Sequence, residues 1–404
     1  MMLEIYGGGF GNKGAELMLR TTVERLRNEF PEAEFAIEPK PNESYLQHAE
    51  LRLARIFPST SIYPKWSHRF FYRSAMLRKL AMAPLRVLMP KLSSSMLGLV
   101  SRKECDGMID ISGYAYGDGF PPLRTKASLA IIKNYRHRNK PVIFMPQMYG
   151  PFDNPKTRDA FKECMNLVTH AYARDQSSFQ LVQSIMGPEF PLGLAPDITI
   201  FSTPTTQDNL SIPNRKYGCI VPNERMLDQG KDEWGDNYLN KLKATALCFK
   251  ENNLKTIFVI HSNDPGDSKM AHKLANELAP EIGDEWVSVY GHKNPKVLKQ
   301  FIAGSHLLVG SRFHSVVAAL SSGVPAIVLG WAHKYEAIIS DFSVPTLKHS
   351  GTEPVESLLD LVNNVCNSEA NANYRSLINT AKQRMQTEAE TMWDDISQTL
   401  NRNQ

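Results

Sequence analysis

The amino-acid sequence predicts an α/β protein of two domains with mostly parallel sheets facing a cleft. Three observations predict it. Short apolar runs alternate with longer stretches at helical spacing along most of the chain. Those runs are continuous rather than alternating, as strands covered by helices on both faces require. Between two such series lies a polar, proline-bearing stretch, Thr203–Arg215 (TPTTQDNLSIPNR), suited to an interdomain linker. At 404 residues the chain is also too long for one ordinary core. The expected division is 1–205 and 206–404, each Rossmann-like, with the helical tail packing back on the first domain.

In the first half, strands are expected at Met2–Tyr6, Glu34–Ile37, Gly107–Ile111, Val142–Met145 and Ala171–Ala173. Helices fall between them at Ala15–Asn28, Lys126–Arg138, Pro155–Val168 and Ser177–Ser184. The second half reads strand Tyr217–Val221, helix Trp234–Asn252, strand Thr256–Ile260, helix Lys269–Leu278, strand Trp286–Val289 and helix Pro295–Ile302. A βαβ unit at Leu307–Leu329 closes the series, and Pro354 to Gln404 forms a polar helical tail. Within that unit, Leu307–Val309 is a buried strand, Gly310-Ser311 a tight turn, and Gly323-Val324-Pro325 the break before the second strand. Ser311 is placed to cap the helix, with Arg312 and His314 in its first turn, where backbone N–H groups lack partners. An arginine and a histidine at a helix start, beyond the carboxyl end of a parallel strand, suit an anionic ligand.

Composition sets bounds. Hydrophobic content of 42% and charged content of 22% are those of an ordinary globular chain, and a net charge of +4 is too small to imply nucleic-acid binding. The charge is unevenly spread. Leu51 to Lys103 holds eleven Lys/Arg and no Asp or Glu, interleaved with aromatics and leucines. That segment reads either as a surface for an anionic membrane or polyanionic substrate, or as a solvated helical face with its apolar side in the core. Five scattered cysteines without a CxxC point to reduced thiols, no metal site and a cytoplasmic home. No apolar run reaches membrane-spanning length and the N-terminus lacks signal-peptide layout, so a peripheral contact at the inner membrane face is the most the chain implies.

Other chemistry-bearing motifs follow strands. Gly7–Gly14 contains a literal GxGxxG, with Glu38 near where a ribose-binding acid would sit. Glu16, close to any bound pyrophosphate, and the lack of a further dehydrogenase feature count against a dinucleotide. After later strands come Asp110-Ile-Ser-Gly-Tyr-Ala-Tyr-Gly-Asp118, Met145-Pro-Gln147-Met-Tyr149-Gly-Pro-Phe152, Ala173-Arg-Asp175, Pro222-Asn-Glu-Arg225 and His261-Ser-Asn-Asp264. Asp175 and Asp197 read as caps or structural acids. Each segment alone is more often a turn than a catalyst; their convergence on strand carboxyl ends is the argument.

In this order, GNKGAE at 11–16, SGYAYGDG, MPQMYGPF, ARDQSS, APD, PNER and GSRFHSVVAALSSGVPAIVLGWAHKYE resemble the polysaccharide pyruvyl transferase family over most of residues 3–342. The most specific stretch is Ser311–Lys334. Residues 51–103 and the C-terminal tail carry no resemblance. The resemblance implies a fold similar to the B-type glycosyltransferases and transfer of pyruvate from phosphoenolpyruvate to a sugar, usually as a ketal. It implies a first domain on the acceptor side and a second on the donor side. Arg312 and His314 would belong to the donor site, with Arg225 a second arginine and Ser311, Phe313 and Lys334 alongside. Asn12, Glu16, Gln147 and Tyr149 would face the acceptor; at Tyr149 some members carry a histidine, and this chain departs from them.

The residues make chemical sense of that activity. Phosphoenolpyruvate carries a phosphate and a carboxylate, which arginine forks bind bidentately. His314 suits the acid that protonates the enol methylene, because its free pKa lies near neutrality. Asp118, Asp264 or Glu16 could take or orient acceptor hydroxyl protons. No cofactor is called for beyond the donor substrate. The rival readings are a nucleotide-sugar glycosyltransferase of the same architecture, with Glu336 gripping hydroxyls, and a non-catalytic carbohydrate-binding protein; a nicotinamide dehydrogenase rests on the GxGxxG alone.

Overall fold

A computed structural model of the chain describes residues 1–41, 43–56, 98–203, 212–235, 237–330 and 333–402, with 333 and 334 described by backbone alone. Most of the basic segment 51–103, most of the polar stretch at 203–215 and the Lys334 side chain thus lie outside the described residues. Two compact units emerge. Unit 1 comprises Met1–Gly11, Met18–Asp197 and Glu388–Gln404; unit 2 comprises Asn12–Leu17 and Ile198–Thr387. The division therefore falls at Asp197, before the polar stretch, and the chain visits unit 2 once early. The helix α1, Lys13–Glu29, begins in unit 2 and continues in unit 1.

In unit 1 the strands are β1 (Met2–Tyr6), β2 (Glu34–Ile37), β3 (Leu53–Ile56), β4 (Leu99–Val100), β5 (Gly107–Asp110), β6 (Tyr114–Tyr116), β7 (Val142–Tyr149), β8 (His170–Ala173) and β9 (Leu192–Leu194). Their spatial order is β4-β3-β2-β1-β5-β7-β8-β9, with β6 on β7. All pairings are parallel, and the order reverses direction between β1 and β5. Three short strands, β4, β6 and β9, have too few residues for a periodic signal. β3 hides in the basic stretch. β7 runs through Pro146, which reads in sequence as a stop; a register shift against β8 between Phe144 and Gln147 absorbs the missing N–H. The core includes Phe144, Phe161, Tyr135 and Ile132, all 0% exposed. Buried Glu4 is matched by Arg102, which forks onto it at 2.8 to 2.9 Å, and by the Tyr135 hydroxyl at 2.6 Å.

Unit 2 holds β10 (Tyr217–Val221), β11 (Lys255–Ile260), β12 (Val287–Gly291), β13 (Leu308–Gly310) and β14 (Ala326–Val328), in the order β12-β11-β10-β13-β14. This is the doubly wound order, and its reversal lies between β10 and β13. Register sets Val221 opposite Gly310, so the chain leaves both strands at one level. The helices that matter are α2 (Asn237–Glu251), α3 (Pro265–Ile282), α4 (Phe313–Ser321), α5 (His333–Asp341) and α6 (Ser368–Asn401). The strand residues Cys219, Ile220, Phe258, Leu308, Val309 and Ile327 are at most 1% exposed, sealed by helices on both faces as their unbroken apolar runs require. The 34-residue α6 adds Ile378, Ala381 and Met385 to this core, and its residues from Glu388 count with unit 1.

Candidate functional site

Three neighbouring strands of unit 2 deliver side chains to one sheet edge. β10 is followed by Asn223 and Arg225, β11 by His261, Asp264 and Asp267, and β13 by Ser311, Arg312 and His314. The loops after β10 and β13 are bolted together by a buried polar set. Asn223 Nδ2 donates to the Ser311 carbonyl at 2.8 Å, the Tyr335 hydroxyl donates to the same carbonyl at 2.6 Å, and the Tyr238 hydroxyl meets Ser311 Oγ at 2.8 Å. Ser311 is 0% exposed. It is thus no donor ligand and no cap: the N-cap of α4 is Arg312, whose side chain makes no capping bond. Phe313, also expected at the donor, is buried and packs edge-on to Tyr335 at 5.9 Å. Neither Tyr238 nor Tyr335 could be found from sequence, because each reaches the site from a helix whose spacing marks it only as core.

Arg312 is held rigidly. Its Nε and Nη2 donate to the two oxygens of Asp267 at 2.7 and 2.6 Å, and Asp267, 0% exposed, also accepts the Glu224 N–H at 2.9 Å. Nη1 has no hydrogen-bond partner among the described residues. Arg225 lies on a short 3-10 turn, 44% exposed, bonded to Asp228 at 2.6 Å, and its Nη2 is 3.5 Å from Asp264. The Asp228 hydrogen bond first, then its charge and that of Asp264, hold the Arg225 guanidinium above its usual range. Asp264, a candidate base in the sequence, has two other tasks. It caps α3 through the Gly266 N–H, and it sits between Arg225 and Arg312, 3.9 Å from the latter.

The first turn of α1 completes this side of unit 2. Asn12, expected at the acceptor, instead caps the helix by accepting the Ala15 N–H at 2.8 Å. Lys13 and Glu16 are buried, 3.9 Å apart, and the Lys13 ammonium donates to the Lys293 carbonyl. Gly14 lies against His314: a Cβ at position 14 would stand 2.0 Å from His314 Nδ1. A glycine inside a helix forgoes about 1 kcal/mol of propensity relative to alanine, so the space has a use. His261, which sequence reasoning left unassigned within its HSND segment, is 5% exposed. Burial first, then the neighbouring His314, Lys13 and Arg312 charges, push its imidazole down to about 3, so it is neutral at physiological pH.

Tyr149, Gln147 and Asp118 belong to unit 1, where each makes contacts within the fold. Tyr149 is 4% exposed, donates its hydroxyl to the Tyr172 carbonyl at 3.1 Å and packs on Phe161, which withdraws it from any acceptor. Gln147 is 0% exposed in β7, its amide nitrogen 3.5 Å from the Asp110 carbonyl. Asp118 braces a loop: its Oδ2 accepts the Asn154 N–H at 3.0 Å and its own N–H donates to the Pro151 carbonyl, while Oδ1 is buried without a hydrogen-bond partner among the described residues. The dinucleotide alternative fails on the same ground. Glu38 pairs with Arg102, and the Phe10 N–H of the glycine loop donates to Glu43 at 2.8 Å, a carboxylate where a phosphate would need to sit. Burial raises the Glu43 carboxyl, but hydrogen bonds from His48, Lys40 and Phe10 outweigh it and hold the group below its usual range.

These features define an α/β protein with a fold similar to that of the B-type glycosyltransferases, with a cationic, histidine-bearing edge at the reversal point of its second sheet. Solved structures agree on the fold. A UDP-GlcNAc 2-epimerase from Neisseria meningitidis bound to UDP-GlcNAc matches with TM-score 0.58 at 12% identity, over 96% of this chain and 99% of that one. Anabaena Alr3699/HepE in complex with UDP and glucose matches with TM-score 0.53 at 12% identity, over 98% and 99%. The chain belongs to the polysaccharide pyruvyl transferase family, whose model matches residues 12–333. The amylovoran biosynthesis protein AmsJ of Erwinia amylovora is 20% identical over 273 residues, 64% of this chain, and the match spans 63% of that protein's length.

Proposed function

We propose that the chain transfers pyruvate from phosphoenolpyruvate to two hydroxyls of a sugar in a polysaccharide or its lipid-linked precursor, forming a pyruvyl ketal. The observation that carries this is the meeting of Arg312, His314 and the Lys13–Gly14 turn at one edge of unit 2, in a chain of this family. The relative in amylovoran biosynthesis supports a polysaccharide as the acceptor's class.

The chemistry runs through few groups. Arg312, fixed by Asp267, points a preoriented guanidinium at the donor, and Arg225 adds a second, more exposed one. Protonated His314 gives its proton to the donor methylene, which becomes a methyl group, and positive charge develops at the adjacent carbon. One sugar hydroxyl attacks that carbon, and its proton passes to the phosphate that is to leave. The C–O bond to phosphate then breaks, and a second hydroxyl closes the ketal, its proton restoring His314. Inorganic phosphate leaves from the arginine side. Neutral His261 beside His314 keeps that neighbourhood from gathering further positive charge.

The test is incubation with phosphoenolpyruvate and a panel of glycans and lipid-linked saccharides, read by mass spectrometry and phosphate release. A product heavier by one ketal-linked pyruvate, with one phosphate per product, is expected. Thermal shifts that respond to uridine or guanosine diphosphate sugars and not to phosphoenolpyruvate would overturn the reading in favour of glycosyl transfer.

A further inference from the structure

We propose that Gly14 is a positioning residue for His314: the bare Cα in the first turn of α1 is the platform that fixes where the imidazole stands. The inference rests on the reading of His314 as the proton donor. A Cβ on Gly14 would lie 2.0 Å from Nδ1, 2.2 Å from Cε1 and 2.5 Å from Cγ of His314. Three atoms of one ring are involved, so an edge of the imidazole, not a mobile tip, rests on the helix backbone.

Backbone conformation does not require glycine here, because Gly14 lies inside α1 and is absent from the positive-φ glycines. Alanine would be the better helix former. What requires glycine is the volume occupied by His314. Neither side yields freely. The α1 turn is tied down by Lys13 to the Lys293 carbonyl and by Asn12 to the Ala15 and Glu16 N–H groups. His314 is backed by the Phe313 ring, edge-on with centroids 5.2 Å apart. A methyl group at position 14 therefore moves the imidazole, and a proton donor displaced by about 1 Å loses much of its rate advantage.

The experiment compares the full-length protein with Gly14→Ala, His314→Ala and the double variant, measuring kcat, KM for phosphoenolpyruvate and Tm. Gly14→Ala is expected to lower kcat about a hundredfold, as loss of acid catalysis does. KM should stay within about threefold, the mark of a group acting on the chemical step. In the double variant kcat should fall no lower than in His314→Ala alone. The Tm readout needs no activity: Gly14→Ala should lower Tm beside His314 and raise it once alanine replaces His314. A Gly14→Ala enzyme with kcat within about threefold of the parent, losses that multiply in the double variant, or a Tm gain whatever occupies position 314 would each overturn the proposal. If His314→Ala keeps near-normal turnover, the proton-donor reading falls and takes this one with it; if it loses turnover and Gly14→Ala does not, only the role of Gly14 falls.

Discussion

At Arg312 the guanidinium is already gripped on one face by a fully buried carboxylate, Asp267, through bonds of 2.6 and 2.7 Å. Such a pair fixes the arginine's plane, and the anion that comes to the site finds a preoriented partner. Lysine cannot reproduce the fork. Arg312→Lys is therefore expected to weaken phosphoenolpyruvate binding about tenfold, roughly the loss of one charge-assisted hydrogen bond. Titration calorimetry reads this directly, and unchanged affinity would remove Arg312 from the donor site. Sequence alone singled out Arg312 and His314, because they lie just beyond a strand end in a recognisable motif. It missed Asp267 and gave His261 no role of its own, because their tasks arise only from strands adjacent in space. It also assigned Ser311 and Tyr149 to ligands, though their hydroxyls bond inward: polarity was legible in these residues, direction was not.

Helix starts show the same point at the scale of elements. Asp175 reads in sequence as a cap and Asp264 as a candidate base, and both cap, Asp264 through the Gly266 N–H and Asp175 through the Ser178 N–H. At Asp264 the cap and the charge can be separated. Asp264→Ala is expected to cost about 1 kcal/mol, while Asp264→Asn keeps the accepting oxygen and most of the stability. Urea unfolding of the two variants checks this, and equal losses would show that the charge near Arg225, not the cap, supports the fold. Elements with long apolar periods were legible. The short strands β4, β6 and β9 were not, because two or three residues carry no period and gain their hydrogen bonds from neighbours distant in sequence.

Across the whole molecule, two buried imidazoles link stability to pH. His261 is pushed down to about 3 and His349 to about 4, burial being the first cause in each; Lys241 also lowers His349 and Glu353 opposes it. The ordinary value is 6.5. Since the folded values lie lower, the unfolded chain binds protons first as the pH drops. The stability these groups contribute is full above about 6.5 and is lost as pH falls through about 4 for His349 and about 3 for His261. Replacing His349 with Gln should flatten the fall in urea midpoint between pH 6.5 and 4; an undiminished slope would show that other groups cause it. Among the described residues no helix is long and apolar enough to cross a membrane.

By itself the sequence determined the α/β class, the parallel sheets and the strand-end segments that hold the candidate site residues. Periodicity and glycine placement are local properties, written along the chain. Only the tertiary structure decided which of those residues act together. Asn12–Leu17 lies about three hundred residues from His314 along the chain, yet packs in the same unit, and the fit of Gly14 to the imidazole exists only there. Burial did the rest. It turned Tyr149 and Ser311 inward, neutralised His261 and locked Arg312 on Asp267, because a polar group removed from water must find its partner inside the protein.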